Sequence, residues 1–148
     1  INTKNIHRSN AIMGHPYGND FVYDEMMLTG PGEAGKAAAE MVAKSNTMGG
    51  DDGPKPGEGP SKEEREAGMY DFALLGITKN GDRIRATVTG DKDPGYGSTS
   101  KIISEAAICL VKDCTDLGGG IYTPAAAMGL TLVGRLESHA GLTFNIDK

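Results

Sequence analysis

The chain has 148 residues, a formal net charge of -5 and a hydrophobic content of 38%, values that suit one globular domain with a substantial core. No apolar run approaches the roughly 18 residues that a membrane-spanning helix needs. The basic residues form no cluster, which argues against a nucleic-acid-binding surface. We therefore expect a cytoplasmic protein that binds neither nucleic acid nor membranes.

The N-terminal third predicts two elements between irregular segments. Residues 1–18 show no periodic pattern and are predicted to be irregular. Aromatic and β-branched residues open the segment Phe21–Leu28, which is predicted to be a strand. Glu33–Lys44 is rich in alanine and predicts a helix. Glycine, proline and aspartate dominate about 46–60, which predicts a long, exposed, flexible loop within one domain spanning 1–148.

The middle of the chain carries the strongest local signals. Ser61 and Glu64 have the spacing of a capping box, which predicts a short helix that Gly68 ends. The β-prone runs 69–78 and 83–89 flank an Asn-Gly pair, and this arrangement predicts a β-hairpin. Apolar and polar residues alternate along the second run, so one face of the hairpin is expected to be apolar.

Two helices and a final strand are predicted after the hairpin. The first helix follows the loop at 93–101, and its apolar face is predicted to consist of Ile103, Ala106, Ala107 and Leu110. The second begins at Thr123-Pro124 and runs to about His139, with a buried stripe of Met128, Leu132, Val133 and Leu136. Gly141 ends it, and Leu142–Ile146 is predicted to be a short strand. The expected fold class is α+β, with helices packed against a mixed or largely antiparallel sheet.

The cysteines, Cys109 and Cys114, lie five positions apart on or just beyond the first of these helices. If the helix continues past both, their α-carbons lie farther apart than the roughly 7 Å that a disulfide spans. We interpret them as reduced thiols, with Cys109 as a small core residue.

The loop before this helix is the candidate site. Its glycines permit close approach of a neighbour, and Ser98 or Thr99 is expected to cap the first helical turn. A helix start also attracts anions through its free N–H groups. Gly95–Ser100 approximates a dinucleotide-binding motif, but no second buried strand ending in an acidic residue follows, which argues against that fold within this chain. Two interpretations remain: a contact with a phosphate, carboxylate or cofactor edge, or a tight connection without a ligand.

Other catalytic patterns are incomplete. His7, His15 and His139 are scattered without a second ligand at helical spacing, and we predict no metal site. The nucleophile motif G-x-S-x-G is absent from the sequence. Tyr96 and Lys101 offer a proton donor and a charge near the loop, although a tyrosine packed on a glycine turn is the alternative. The catalytic residues stay unknown at this point.

Several segments together resemble a known family. They are Arg8–Ala11, Tyr17–Glu25, Gly57–Ser61, Asp93–Lys101, Gly119–Gly129 and Ala140–Phe144. Their order resembles the C-terminal portion of saccharopine dehydrogenase-like oxidoreductases, and they span almost the whole chain.

The resemblance implies a non-Rossmann C-terminal domain of an NAD- or NADP-dependent enzyme whose N-terminal Rossmann domain is absent from this chain. Such a domain completes the cleft for a small-molecule substrate and mediates a homodimer. The loop residues expected nearest to substrate or cofactor are Asp93, Gly95, Tyr96, Gly97, Ser98 and Thr99. The fragment alone is expected to bind no cofactor and to have no redox activity. The alternative is a binding or assembly module without enzymatic activity.

Overall fold

The computed structural model describes residues 2–44 and 57–147. In chain order, its elements are α1 (Thr3–Ile12), α2 (Gly32–Lys44), α3 (Lys62–Ala67), β1 (Tyr70–Ile77), β2 (Arg83–Gly90), α4 (Gly97–Lys112), α5 (Pro124–Arg135), a π-helix (Leu136–Ala140) and β3 (Leu142–Asp147). The strands form one antiparallel sheet in the order β1-β2-β3, with helices packed against it. The predicted α+β class is therefore confirmed.

The hairpin is confirmed at its predicted turn. The register of β1 and β2 runs from Tyr70 opposite Gly90 to Ile77 opposite Arg83. At the turn, the N–H of Thr78 donates to the carbonyl oxygen of Asp82 at 2.9 Å. Gly81 has a φ of 87°, a conformation that glycine adopts without steric cost.

The core lies where α4, α5, the π-helix and β3 meet. Its buried apolar residues are Cys109, Met128, Leu132, Leu136, Ala140 and Leu142. Four of them follow each other at intervals of four residues along α5 and the π-helix, so they share one face. Gly141 ends the π-helix with a φ of 75°, as expected for a glycine that terminates a helix. The second predicted helix and the final strand are therefore confirmed, except that Gly129 interrupts α5 with a φ of 50°.

The predicted buried face of α4 is confirmed for Ala106 but is wrong for Ile103, Ala107 and Leu110. The helix packs against the core through Ile102, Ala106 and Cys109, whereas Ile103 and Leu110 are exposed. Both sets have helical spacing, so periodicity alone cannot choose between them. The contacts of α4 with α5 and the π-helix decide which set is buried.

The prediction that residues 1–18 are irregular is wrong, because α1 occupies most of them. The buried residues of α1 are the polar Ser9 and Asn10, so no hydrophobic period marks the helix. The Ser9 and Thr123 hydroxyl oxygens lie 2.7 Å apart and link α1 to the start of α5. Asn10 binds the turn that follows, donating to the carbonyl oxygen of Gly18 at 2.8 Å.

The predicted strand at Phe21–Leu28 is also wrong. This segment has no strand partner among the described residues, and Val22, Met26 and Leu28 are exposed. A β-prone sequence forms a strand only where a neighbouring strand accepts its hydrogen bonds. The ring of Phe21 instead lies 5.6 Å from that of His7 and 5.3 Å from that of Tyr17, between centroids.

The helices predicted on either side of the glycine-rich segment are confirmed. The second of these, α3, has both hydrogen bonds of the predicted capping box between Ser61 and Glu64, and Gly68 follows its last residue. The predicted loop at 46–60 lies outside the described residues except for 57–60. Across the two described ranges, no helix is long and apolar enough to cross a membrane.

Candidate functional site

The loop between β2 and α4 is organised by the carboxylate of Asp93. It accepts hydrogen bonds from the backbone N–H groups of Gly95 at 2.9 Å, Tyr96 at 3.1 Å and Gly97 at 2.5 Å. These bonds, above all the one from Gly97, hold the pKa of Asp93 below its usual value, and the positive charge of Arg65 adds to the effect. Asp93 is therefore the residue that satisfies the first N–H groups of α4.

This arrangement changes the role predicted for Ser98 and Thr99. Neither side chain caps the helix, because the hydroxyl of Thr99 donates to the carbonyl oxygen of Pro94 at 2.6 Å and that of Ser98 pairs with the hydroxyl of Tyr70 at 2.8 Å. The N–H groups of Gly97 and Ser98, which an anion at this helix start would need, are already bound to the carboxylate and the carbonyl oxygen of Asp93. The geometry therefore favours a tight connection over an anion site at this helix start.

The end of α3 braces the loop from outside. The N–H of Asp93 donates to the carbonyl oxygen of Arg65 at 3.1 Å. A Cβ atom added to Gly68 would lie 2.5 Å from the Asp93 backbone, and one added to Gly97 would lie 3.0 Å from the Arg65 oxygen. A larger side chain at Gly68 would therefore displace the backbone of Asp93, and one at Gly97 would crowd the carbonyl oxygen of Arg65.

Beneath the loop, Ser98 is completely buried, and its hydroxyl lies 2.8 Å from that of Tyr70. The ring of Tyr70 lies over its strand neighbour Gly90, where an added Cβ atom would come within 2.2 Å of the ring. The loop is thus fixed to the sheet through a hydroxyl pair and a glycine. The sequence analysis missed the role of Tyr70, because only the strand register places it beneath Ser98.

The structure brings the six predicted site residues together in one loop and the first turn of α4, but it leaves one polar side chain available. The hydrogen-bonding groups of Asp93, Ser98 and Thr99 are taken up within the loop and by Tyr70. Tyr96 is half exposed, its ring lies against Gly59, and its hydroxyl has no partner in the described ranges. Lys101, also considered a candidate, lies 4.0 Å from the carboxylate of Asp91. Tyr96 is therefore the candidate for contact with a ligand.

Two further groups of polar or reactive residues lie along α4. Arg135 of α5 forms ion pairs with Glu105 at 2.8 Å and Asp113 at 3.0 Å, which join the two helices. The Cys109 and Cys114 sulfur atoms lie 3.9 Å apart, because α4 ends at Lys112 and the N–H of Cys114 turns back to the carbonyl oxygen of Cys109. Both thiols are free, and Cys109 is in the core as predicted.

An apolar groove of about 450 Å³ lies along α5, on the side facing the turn that follows α1. The residues lining it include Met13, Tyr17, Leu130, Val133 and Phe144. Such a lining suits a hydrocarbon group rather than a phosphate. Among the described residues, no group of three or more His, Cys, Asp or Glu side chains is placed to hold a metal ion.

Comparison with known proteins gives a consistent set of relatives. The chain is similar to trans-acting enoyl reductases. A putative trans-acting enoyl reductase of Mycobacterium tuberculosis is 35% identical over 99% of this chain. Trans-acting enoyl reductases of Mycobacterium bovis and Mycobacterium ulcerans are 35% identical over 92% of it. No family model and no solved structure matches.

These relatives are much longer than the chain, which spans only 37 to 39% of their length. Their names also overturn the family predicted from the sequence. The resemblance to saccharopine dehydrogenase-like oxidoreductases is wrong as an assignment, and so is the function derived from it, because the relatives are enoyl reductases. Shared loop motifs suggested a neighbouring class of oxidoreductase, and motifs of this kind do not fix the substrate.

Proposed function

We propose that this chain is part of a longer enoyl reductase, which reduces the carbon–carbon double bond of an enoyl substrate. The observation that carries the proposal is the 35% identity over 99% of the chain to a putative trans-acting enoyl reductase. Reduction of such a double bond requires a hydride at one carbon and a proton at the other. The usual hydride source is NADH or NADPH.

The described residues do not fit a dinucleotide. Their sheet is entirely antiparallel, without the parallel βαβ unit of dinucleotide-binding folds. The helix start that most resembles such a site is already bound to Asp93. We therefore assign the binding of nicotinamide nucleotide to a part of the longer protein outside this chain.

Within the proposed reaction, we assign proton donation to Tyr96. Its hydroxyl is free of intramolecular partners in the described ranges and half exposed, as a donor to a bound substrate must be. The backbone that carries Tyr96 is held by Asp93, and its ring is supported by Gly59. A fixed backbone with an accessible hydroxyl is the arrangement that general acid catalysis needs.

The apolar groove is the proposed binding site for the hydrocarbon part of the substrate. The described residues that line it carry no charged side chain, and an acyl chain requires such an apolar surface. Val133→Asp places a charge in this lining. It is expected to raise KM for a long-chain enoyl thioester while leaving KM for a short-chain one unchanged. Equal effects on both substrates would remove the groove from the proposal.

The test uses the full-length protein encoded by the gene. We expect it to oxidise NADH or NADPH in the presence of a 2-enoyl thioester, with one saturated product formed for each nucleotide consumed. Tyr96→Phe should lower kcat by about 10²-fold or more, with KM for the nucleotide unchanged. The matched control is Tyr122→Phe, which makes the same change elsewhere in the chain. Absence of turnover with both nucleotides and with both short and long enoyl thioesters would contradict the proposed function.

The homodimer expected from the sequence stays a prediction. Analytical ultracentrifugation of the full-length protein checks it directly, because the mass of the sedimenting species distinguishes a monomer from a dimer.

A further inference from the structure

Helix α4 is apolar on two faces, and the described residues cover only one of them. The inner face packs on the core through Ile102, Ala106 and Cys109. A second row, which we call the outer stripe, consists of Ile103, Ala107, Leu110 and Val111. Within it, Ile103 is 66% exposed and Val111 is 77% exposed. These adjacent rows make α4 apolar around much of its circumference, and a helix of this kind is normally buried on more than one side.

The second apolar surface that the described residues leave uncovered lies on the sheet. Near the core, Val88 and Phe144 are neighbours across β2 and β3 and pack against the core cluster. The same face continues toward the hairpin turn with residues that are 46 to 65% exposed. We call these residues the distal patch: Phe72, Leu74, Ile84 and Ile146. The register places their side chains on one face, so they form a single surface.

The total accessible surface is larger than that of a compact protein of this mass. The chain exposes 11296 Å², whereas a compact protein of 15.5 kDa exposes about 7,200 Å². The fourteen residues outside the described ranges account for at most about 2,100 Å² of this difference, even if each is counted as fully accessible. About 2,000 Å² of excess surface therefore belongs to the described part of the chain.

We propose that the outer stripe and the distal patch are the surfaces against which the remaining part of a longer polypeptide packs. The relatives leave about three-fifths of their length outside the region that this chain matches. A second copy fits less well, because a two-fold contact covers one self-complementary patch and typically about 800 Å² on each partner. A polypeptide longer than this chain has enough surface to cover both. The inference rests on the length of the relatives and not on the proposed reaction.

The test measures solvent access in the full-length protein. Ile103→Cys and Ile84→Cys probe the two surfaces. Lys112→Cys and Arg83→Cys are matched controls, because each is an exposed residue of the same element whose position lies on a different face from the probed residue. Each variant is labelled with a maleimide in its native state and in urea. Peptide mass spectrometry then quantifies each site separately, so the native cysteines do not interfere.

We expect the thiols at positions 103 and 84 to react about tenfold or more slowly than their controls in the native state, because they react only when the docked part opens. In urea all four should react alike. Equal native rates would overturn the proposal, as would protection that disappears on dilution together with a dimer-to-monomer change. A gene that encodes no further residues would overturn it as well.

Hydroxyl-radical footprinting of the unaltered protein serves if a cysteine variant fails to fold. Oxidation of Phe72 and Ile103 at rates typical of exposed side chains would overturn the proposal, and slow oxidation would support it. Neither measurement uses turnover, so failure of this packing proposal is distinguishable from failure of the proposed enoyl reductase activity.

Discussion

The hydroxyl pair of Ser98 and Tyr70 offers a sharp test of how the loop is held. Ser98 is completely buried, and its oxygen lies 2.8 Å from that of Tyr70. Tyr70→Phe leaves the Ser98 hydroxyl buried without a partner. The expected loss in the free energy of unfolding is about 1–3 kcal/mol.

Ser98→Ala should be less damaging, because Tyr70 is only partly buried and its hydroxyl then finds water. We expect a loss of about 0.5–1.5 kcal/mol. The double variant removes both hydroxyls and leaves neither unpaired, so its loss should fall short of the sum by about 1 kcal/mol.

Urea denaturation of the wild type, both single variants and the double variant measures this coupling. Tyr96→Phe is the control, because the same change on an exposed ring should alter stability by no more than about 0.5 kcal/mol. Additive losses in the double variant would refute the interpretation that the hydroxyl pair anchors the loop.

Three further predictions concern the same region. Hydrogen bonding lowers the pKa of folded Asp93 below its value of 3.8 in the unfolded chain. The contribution of Asp93 to stability is therefore present at neutral pH and is lost as the pH falls from about 3.8 through the lower pKa of the folded state. The stability of the wild type should therefore decline more between neutral and acidic pH than that of Asp93→Asn, as followed by thermal melting; parallel declines would contradict this. Gly90→Ala should lower stability by about 1–3 kcal/mol, because its Cβ atom would overlap the ring of Tyr70, and the urea midpoint measures the loss. A thiol reagent should modify Cys114 before Cys109, since burial raises the pKa of Cys109, and peptide mass spectrometry identifies the order.

Short-range signals made several elements predictable from sequence. The hairpin, the capping box of α3 and the end of the π-helix at Gly141 each depend on residues within a few positions of one another. The chemistry of such signals acts locally: Asn-Gly adopts the turn, serine accepts from the first helical turn, and glycine adopts a positive φ. The candidate loop was found in the same way, from its glycines and its place before a helix.

The elements that sequence analysis assigned wrongly depend on distant partners. The buried residues of helix α1 are the polar Ser9 and Asn10, so the sequence of this helix shows no hydrophobic periodicity. The segment Phe21–Leu28 has strand-forming residues but no neighbouring strand in the described part. In both segments the local sequence favoured the wrong assignment, and contacts with distant parts of the chain decided the structure.

The sequence by itself determined where the chain turns, where most helices begin and end, and that the fold is α+β. Only the tertiary structure decided which face of α4 is buried and which elements pack on the loop before it. The physical reason is that α4 offers two apolar rows of equal spacing, and only the position of α5 and the π-helix selects the inner one. Likewise, the N–H of Asp93 donates to the carbonyl oxygen of Arg65 at the end of α3, a contact between separate elements that no residue pattern within the loop reveals.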